Sequence, residues 1–272
     1  MSSPRQVLDD ALSMEAAEVR RSSRLVLGPI DWRVRRGERW VVLGPNGAGK
    51  TTLVELASAS QRPSAGIVEI LGGRLGRVDL RQLRGRLGYA GPAVARRLYS
   101  DMTALEVVTS GATASYASWW ERPDEAAGLR ARGLLAEANL EGREDQRWLT
   151  LSEGQRQQVL LSRALVRAPE ILVLDEPGTA LDLHARETLV ARLGSFAHSY
   201  PEMAVIMVTH HLEDIPPGFS HALLLNAGRA VFSGPIHEAL RPDPLSRCFG
   251  LDLEVRLHRG RWSAVAGDTW AP

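Results

Sequence analysis

Apolar positions along the chain fall into short continuous runs and longer periodic stretches. The runs are Trp40-Val41-Val42-Leu43, Ile171-Leu172-Val173-Leu174 and Ala204-Val205-Ile206-Met207-Val208, with Leu87-Gly88-Tyr89-Ala90 as a fourth candidate. Runs of that length, apolar on successive residues, predict strands buried on both faces, the habit of parallel sheets. Helical spacing follows at Thr51–Ala57 and Arg156–Arg167, and again after Pro123-Asp124, where Leu129, Leu134, Leu135 and Ala138 form a stripe that reads as core. Residues 222–232 read as two strands joined by the turn Asn226-Ala227-Gly228-Arg229. Leu251, Leu253, Val255 and Leu257 alternate before His258–Arg261 and Trp262, which predicts a terminal β-hairpin. No run approaches the roughly 20 apolar residues of a membrane span. The pattern predicts a soluble chain that meets a membrane only through a partner. Residues 1–14 read as a flexible tail without a signal-peptide pattern.

Composition narrows this picture in three ways. A chain of 272 residues can bury a substantial core as one α/β domain. A formal net charge of +1 gives no global field toward nucleic acid or acidic lipid, so no nucleic-acid partner is expected. The single cysteine, Cys248, excludes an intrachain disulfide and fits a reducing compartment. Lysine and arginine total 33, yet Lys50 is the only lysine. Where arginine serves everywhere else, position 50 calls for a compact ammonium rather than a planar fork.

Lys50 lies in Gly44, Pro45, Asn46, Gly47, Ala48, Gly49, Lys50, Thr51 and Thr52, a G-x-x-x-x-G-K-[ST] pattern between a predicted strand and a predicted helix. Glycines let backbone N–H groups approach phosphates, and a helix N-terminus favours the same anions. The pattern therefore predicts a nucleoside-triphosphate cradle, with Lys50 on the β- and γ-phosphates and Thr51 on Mg²⁺. The second run ends in Asp175-Glu176 and the third in Thr209-His210-His211. Acids at the carboxyl end of a buried strand lie where α/β sheets bind ligands. Asp175 is then placed to hold Mg²⁺, and Glu176 to orient and deprotonate an attacking water. His210 is expected on the γ-phosphate and His211 on the neighbouring surface.

Leu151-Ser152-Glu153-Gly154-Gln155 precedes the Arg156–Arg167 helix, and Gln155 lies 20 positions before Asp175. Ser152 with Gln155 is a capping-box pattern. The segment resembles the L-S-G-G-Q signature of ABC ATPases. The order of motifs also matches that family: phosphate loop, signature, Asp175-Glu176, Thr179-Ala180-Leu181-Asp182 (which resembles the D-loop), then His210. The resemblance covers roughly residues 15 to 245. It implies an ABC-type P-loop fold with a mixed sheet core, an antiparallel β arm at 15–36 and 64–73, and a helical subdomain at about 93–168. Residues 246–272 would form a C-terminal extension. It also implies head-to-tail pairing of two such domains, with Ser152 and Gly154 of one contacting the γ-phosphate held by the other and Asp182 coupling the two sites. The cofactors implied are ATP and Mg²⁺.

Three positions depart from the family pattern. The family's glutamine after the Leu87–Ala90 strand, which contacts Mg²⁺ and relays the site's state to a membrane partner, is replaced by Gly91-Pro92-Ala93, and no glutamine occurs from 83 to 145. The aromatic that stacks on adenine is replaced by Val19-Arg20-Arg21-Ser22-Ser23, where an arginine plane could stack instead. Glu153 replaces a glycine of the signature. The resemblance implies the cytoplasmic ATPase subunit of an ABC transporter, working with integral membrane permease subunits that would dock near residues 92–105. Gly37-Glu38-Arg39-Trp40 resembles stand-alone ATPases related to metal and molybdate uptake. The alternative reading is a soluble, non-transport ABC ATPase of cluster-assembly or regulatory type.

Overall fold

A computed structural model describes residues 10–113 and 125–267. In chain order the elements are β1 (Asp10–Arg21), β2 (Arg24–Arg35), β3 (Arg39–Leu43), α1 (Lys50–Ala57), β4 (Ala65–Ile70), β5 (Gly73–Arg74), α2 (Leu80–Gly85) and β6 (Leu87–Ala90). Helices α3 (Pro92–Ala95), α4 (Ala104–Ser110), α5 (Glu125–Glu137) and α6 (Glu153–Leu165) follow. The remainder is β7 (Ile171–Asp175), α7 (Leu183–Ser199), β8 (Ala204–Val208), β9 (His221–Asn226), β10 (Arg229–Pro235), α8 (Ile236–Ala239), α9 (Pro242–Phe249), β11 (Leu253–His258) and β12 (Arg261–Ala266). Among the described residues no helix is long and apolar enough to cross a membrane.

The central sheet has the order β10-β9-β3-β8-β7-β6, parallel except for the β9–β10 pair. Successive side chains of a strand point to opposite faces, and here each face has its own core. Val41, Leu43, Leu172, Leu174, Val205 and Met207 pack with the helices of 104–166 and α7. Trp40, Val42, Ile171, Val173, Ile206 and Val208 pack with α1 and the β arm. That arm is the antiparallel sheet β2-β1-β4-β5. Double-sided burial explains why β3, β7 and β8 read as continuous apolar runs.

The structure corrects three expectations. The tail of residues 1–14 is too long: β1 begins at Asp10, pairs with β2 and β4, and buries Ala11, Leu12 and Met14. Those three apolar side chains fill the arm's core. Leu134, Leu135 and Ala138 are buried as expected, but Leu129 is 66% exposed, since it lies on the solvent side of α5. The helix start at Pro123-Asp124 lies outside the described residues. The boundary at 245/246 cuts through α9, whose Leu245 and Cys248 are fully buried, with Cys248 Sγ donating to the Leu225 carbonyl at 3.5 Å. The hairpin β11–β12 follows, and Arg261 fastens it to Glu187 of α7 through two hydrogen bonds at 2.6 and 3.1 Å.

At the amino ends of β6 and β7, Glu170 accepts hydrogen bonds from Arg86 and lies 2.6 Å from Arg36 Nη2. The Arg86 hydrogen bond, opposed by burial and aided by Arg36, pulls its pKa from 4.5 to about 2. A carboxylate depressed in the folded state stabilises the fold above its unfolded pKa and loses that contribution as pH falls toward about 2. Solvent screening at this partly exposed cluster holds the effect to about 1 kcal/mol, roughly 2–4 °C in melting temperature. Thermal melts should therefore show wild type above Glu170→Gln by that margin at pH 6, with the gap closing near pH 2. A gap constant with pH would mean the ion pairs contribute nothing.

Candidate active site

The parallel order sets the carboxyl ends of β3, β8 and β7 side by side, with Val42 paired to Val208 and Val208 to Asp175. Each of the three strands releases one of the motifs at that edge: residues 44–52 after β3, Asp175-Glu176 from β7, and Thr209-His210 after β8. The sheet thus assembles groups more than 160 positions apart in sequence.

Gly49 caps α1 with a left-handed backbone, φ 98°, a conformation an L side chain rarely adopts. No side chain caps this helix start, so its first N–H groups are available to an anion. Asn46 and Gly47 lie exposed at the loop's tip, Ala48 is buried beneath, and the Ala48 N–H donates to the Pro45 carbonyl at 3.2 Å. The Lys50 ammonium is buried and donates to the carbonyls of Gly44 at 2.8 Å and Pro45 at 3.0 Å. Burial lowers its pKa, and Glu176, Cys248 and Asp175 oppose that shift. Thr51 is exposed on the first turn while Thr52 is buried.

Burial pushes the Asp175 carboxyl above its usual range, a hydrogen bond from Tyr89 works against this, and Glu176 and Glu55 add to the rise. Glu176 has φ 50°, strained for a residue with a Cβ. Its N–H is fixed to the Val208 carbonyl at 2.9 Å, and Thr179 donates to its Oε2 at 3.3 Å. His210 Nδ1 lies 3.5 Å from Glu176 Oε1, and that ring nitrogen is buried without a hydrogen bond. His211 is exposed, its ring 4.0 Å from that of His210. Thr209 donates to buried Asp214 at 2.8 Å and accepts from the His211 N–H, so a short internal tether sets the turn after β8.

The signature builds a different face. Ser152 Oγ accepts from the Gln155 N–H, and Gln155 Oε1 accepts from the Ser152 N–H, a reciprocal cap. Gly154 lies against Ala185 of α7, whose N–H is held by Asp182 at 2.8 Å. Half-buried Arg192, its pKa pushed down to about 10 by burial, donates to Gln158, Ser162 and the Leu134 carbonyl, which locks α5, α6 and α7 together. Ser152, Gly154 and Asp182 therefore come together. Among the described residues no hydrogen bond joins Ser152 or Gly154 to the phosphate loop of the same chain.

Two features were not read from the sequence. Tyr89 donates to Asp175 Oδ2 at 3.2 Å; its direction is fixed only by the pairing of β6 with β7. The Thr209–Asp214 tether depends on a turn with no strong signal. The arginines at the family's aromatic position are engaged by acids: Arg20 with Glu18 at 3.3 Å and Arg21 with Glu55 at 2.8 Å.

Residues 27–179 match the family model described as ABC transporter. The chain belongs to the ABC transporter family. This ABC protein is 36% identical to the uncharacterized ABC transporter ATP-binding protein YlmA of Bacillus subtilis, over 92% of the chain and 95% of that protein. It is 37% identical to the aliphatic sulfonates import ATP-binding protein SsuB 1 of Nocardia farcinica, over 76% of the chain and 74% of that protein. Its fold matches the dimeric ATP-binding cassette MJ0796 in a post-hydrolysis state bound to ADP and Pi, with TM-score 0.67, 23% identity, and 83% and 98% of the two chains covered. The α/β cassette fold and ATP binding expected of the family therefore hold for this ABC protein, and membership of an ATPase family implies hydrolysis.

Proposed function

We propose that this chain hydrolyses ATP as the ATPase subunit of an ABC transporter, on the cytoplasmic face of the membrane and against separate integral membrane subunits. One observation carries the catalytic reading: Lys50, Asp175, Glu176 and His210 converge at one sheet edge beside an uncapped helix start. Backbone N–H groups of 44–52 would cradle the phosphates, and Lys50 would neutralise charge between the β and γ groups. The donors fit Mg²⁺: the exposed Thr51 hydroxyl and the Asp175 carboxylate are hard oxygens, and a carboxylate destabilised by burial and by Glu176 gains from a cation. Mg²⁺, when bound, would offset charge on the transferring phosphoryl group. Glu176 would take a proton from the water that attacks the γ-phosphorus, while His210 holds a γ-oxygen; ADP leaves and phosphate remains.

Ser152 and Gly154 lie apart from that edge in hydrogen bonding, so they are assigned to ATP held by a second protomer. Exposed Leu149 and Leu183, at 56% and 67%, flank the signature and Asp182 and supply apolar surface for such a partner to cover. Family names of the relatives support the transport reading, and nothing in the site favours the non-transport one.

The test is purification of the tagged chain from detergent-solubilised membranes of its host. A stoichiometric integral membrane protein should accompany it, and its ATP hydrolysis should stop when EDTA removes Mg²⁺. Recovery of the chain with soluble proteins only would overturn the transporter assignment. Hydrolysis that persists in EDTA would overturn the metal assignment.

A further inference from the structure

We infer that Tyr89 is the positioning residue for Asp175. Its phenol O–H donates to Asp175 Oδ2 at 3.2 Å, which turns the carboxylate and leaves the other oxygen for the metal or a metal-bound water. The inference rests on the metal role proposed above for Asp175.

The geometry is specific. β6 and β7 are parallel, with Tyr89 opposite Val173 and Ala90 opposite Leu174, so the phenol reaches forward to the next acid at the strand end. Gly91 makes room for that reach. A Cβ at 91 would lie 2.7 Å from the Tyr89 hydroxyl oxygen and 2.7 Å from Asp175 Cβ, closer than real Cβ contacts allow. The backbone of Gly91 is extended, φ 172°, so its space and not its flexibility excludes a side chain. The segment that lacks the family's glutamine is thus occupied by a contact between a neighbouring phenol and the same metal site. The Tyr89 ring packs against both hydrophobic cores and lines a cavity with Arg84, Arg163 and Arg167, between α1, α2 and α6. It therefore links the metal edge to the junction with the helical subdomain.

Partners that orient a metal ligand from behind usually contribute 10–100-fold to metal affinity. The readout is Mn²⁺ binding by electron paramagnetic resonance, on the whole chain with a non-hydrolysable ATP analogue. Tyr89→Phe keeps the ring and its packing and removes only the donor. It should weaken Mn²⁺ by about 10-fold or more, with metal-free nucleotide binding unchanged. Gly91→Ala keeps the phenol but displaces it, and should weaken Mn²⁺ as well. The double variant should be no worse than the weaker single, because both break one contact. Mn²⁺ affinity within twofold of wild type in Tyr89→Phe overturns the inference; if that variant does not fold, unchanged affinity in Gly91→Ala does so. Asp175→Asn separates the two levels. If it leaves Mn²⁺ binding intact, the metal role of Asp175 fails; if it abolishes binding while Tyr89→Phe stays within twofold of wild type, only the role of Tyr89 fails.

Discussion

Glu176→Gln is expected to reduce ATP turnover by about 10²–10⁴-fold, the usual contribution of a positioned general base, with ATP affinity within a few-fold of wild type. The substitution is nearly isosteric. It keeps the backbone turn at φ 50°, the N–H bond to the Val208 carbonyl at 2.9 Å and an acceptor for Thr179. What it removes is the negative charge that would accept a proton from water and that faces His210 Nδ1 at 3.5 Å. Phosphate binding through residues 44–52 is untouched, so the variant should hold ATP without consuming it. If Ser152 and Gly154 serve a second protomer's ATP, the variant should also accumulate as a dimer. Single-turnover assays and light scattering with ATP and Mg²⁺ read both effects. Turnover within tenfold of wild type would remove Glu176 from the role of base. Lost turnover with a strictly monomeric chain would keep the base and remove the shared-site arrangement.

The sequence was legible where one physical constraint acts over a few adjacent residues. Burial on both faces gives continuous apolar runs, so β3, β7 and β8 could be read directly, and the acids and histidine at their ends followed. The Ser152–Gln155 cap is a local motif and was equally readable. Contacts set by pairing between distant strands were not. Tyr89 meets Asp175 only because β6 lies beside β7, and nothing within Leu87–Ala90 names that neighbour. The start of β1 is hidden in the sequence for a related reason. Ala11, Leu12 and Met14 are too few to stand out from a tail, and they become a strand because β2 and β4 pair with them on both sides. Helix α9 was hidden because its buried residues, Leu245 and Cys248, are spaced among prolines, serine and charge. The stripe on α5 ends short for the opposite reason: Leu129 fits the helical period, but it is exposed and no element among the described residues covers it.

Lys50→Arg is expected to weaken ATP binding by about 10–100-fold, the value of a charge-assisted hydrogen bond or two. The ammonium fits between two carbonyls at 2.8 and 3.0 Å, in a buried slot whose walls are the loop's own backbone. A guanidinium is planar and wider, with donors in a fixed fork. It could not meet both carbonyls from that slot and would push the loop outward, away from the geometry a phosphate chain needs. Burial already disfavours the charged lysine, and Glu176 and Asp175 restore part of it, so the charge is matched to this one place. The composition makes the substitution unusually informative. In a chain whose other basic residues are all arginine, replacing the single lysine follows the protein's own habit everywhere but here. Titration with a fluorescent ATP analogue, beside a thermal melt, separates lost binding from lost folding. Binding within threefold of wild type at an unchanged melting temperature would mean that the slot tolerates a fork and that the lone lysine carries no requirement for a compact cation.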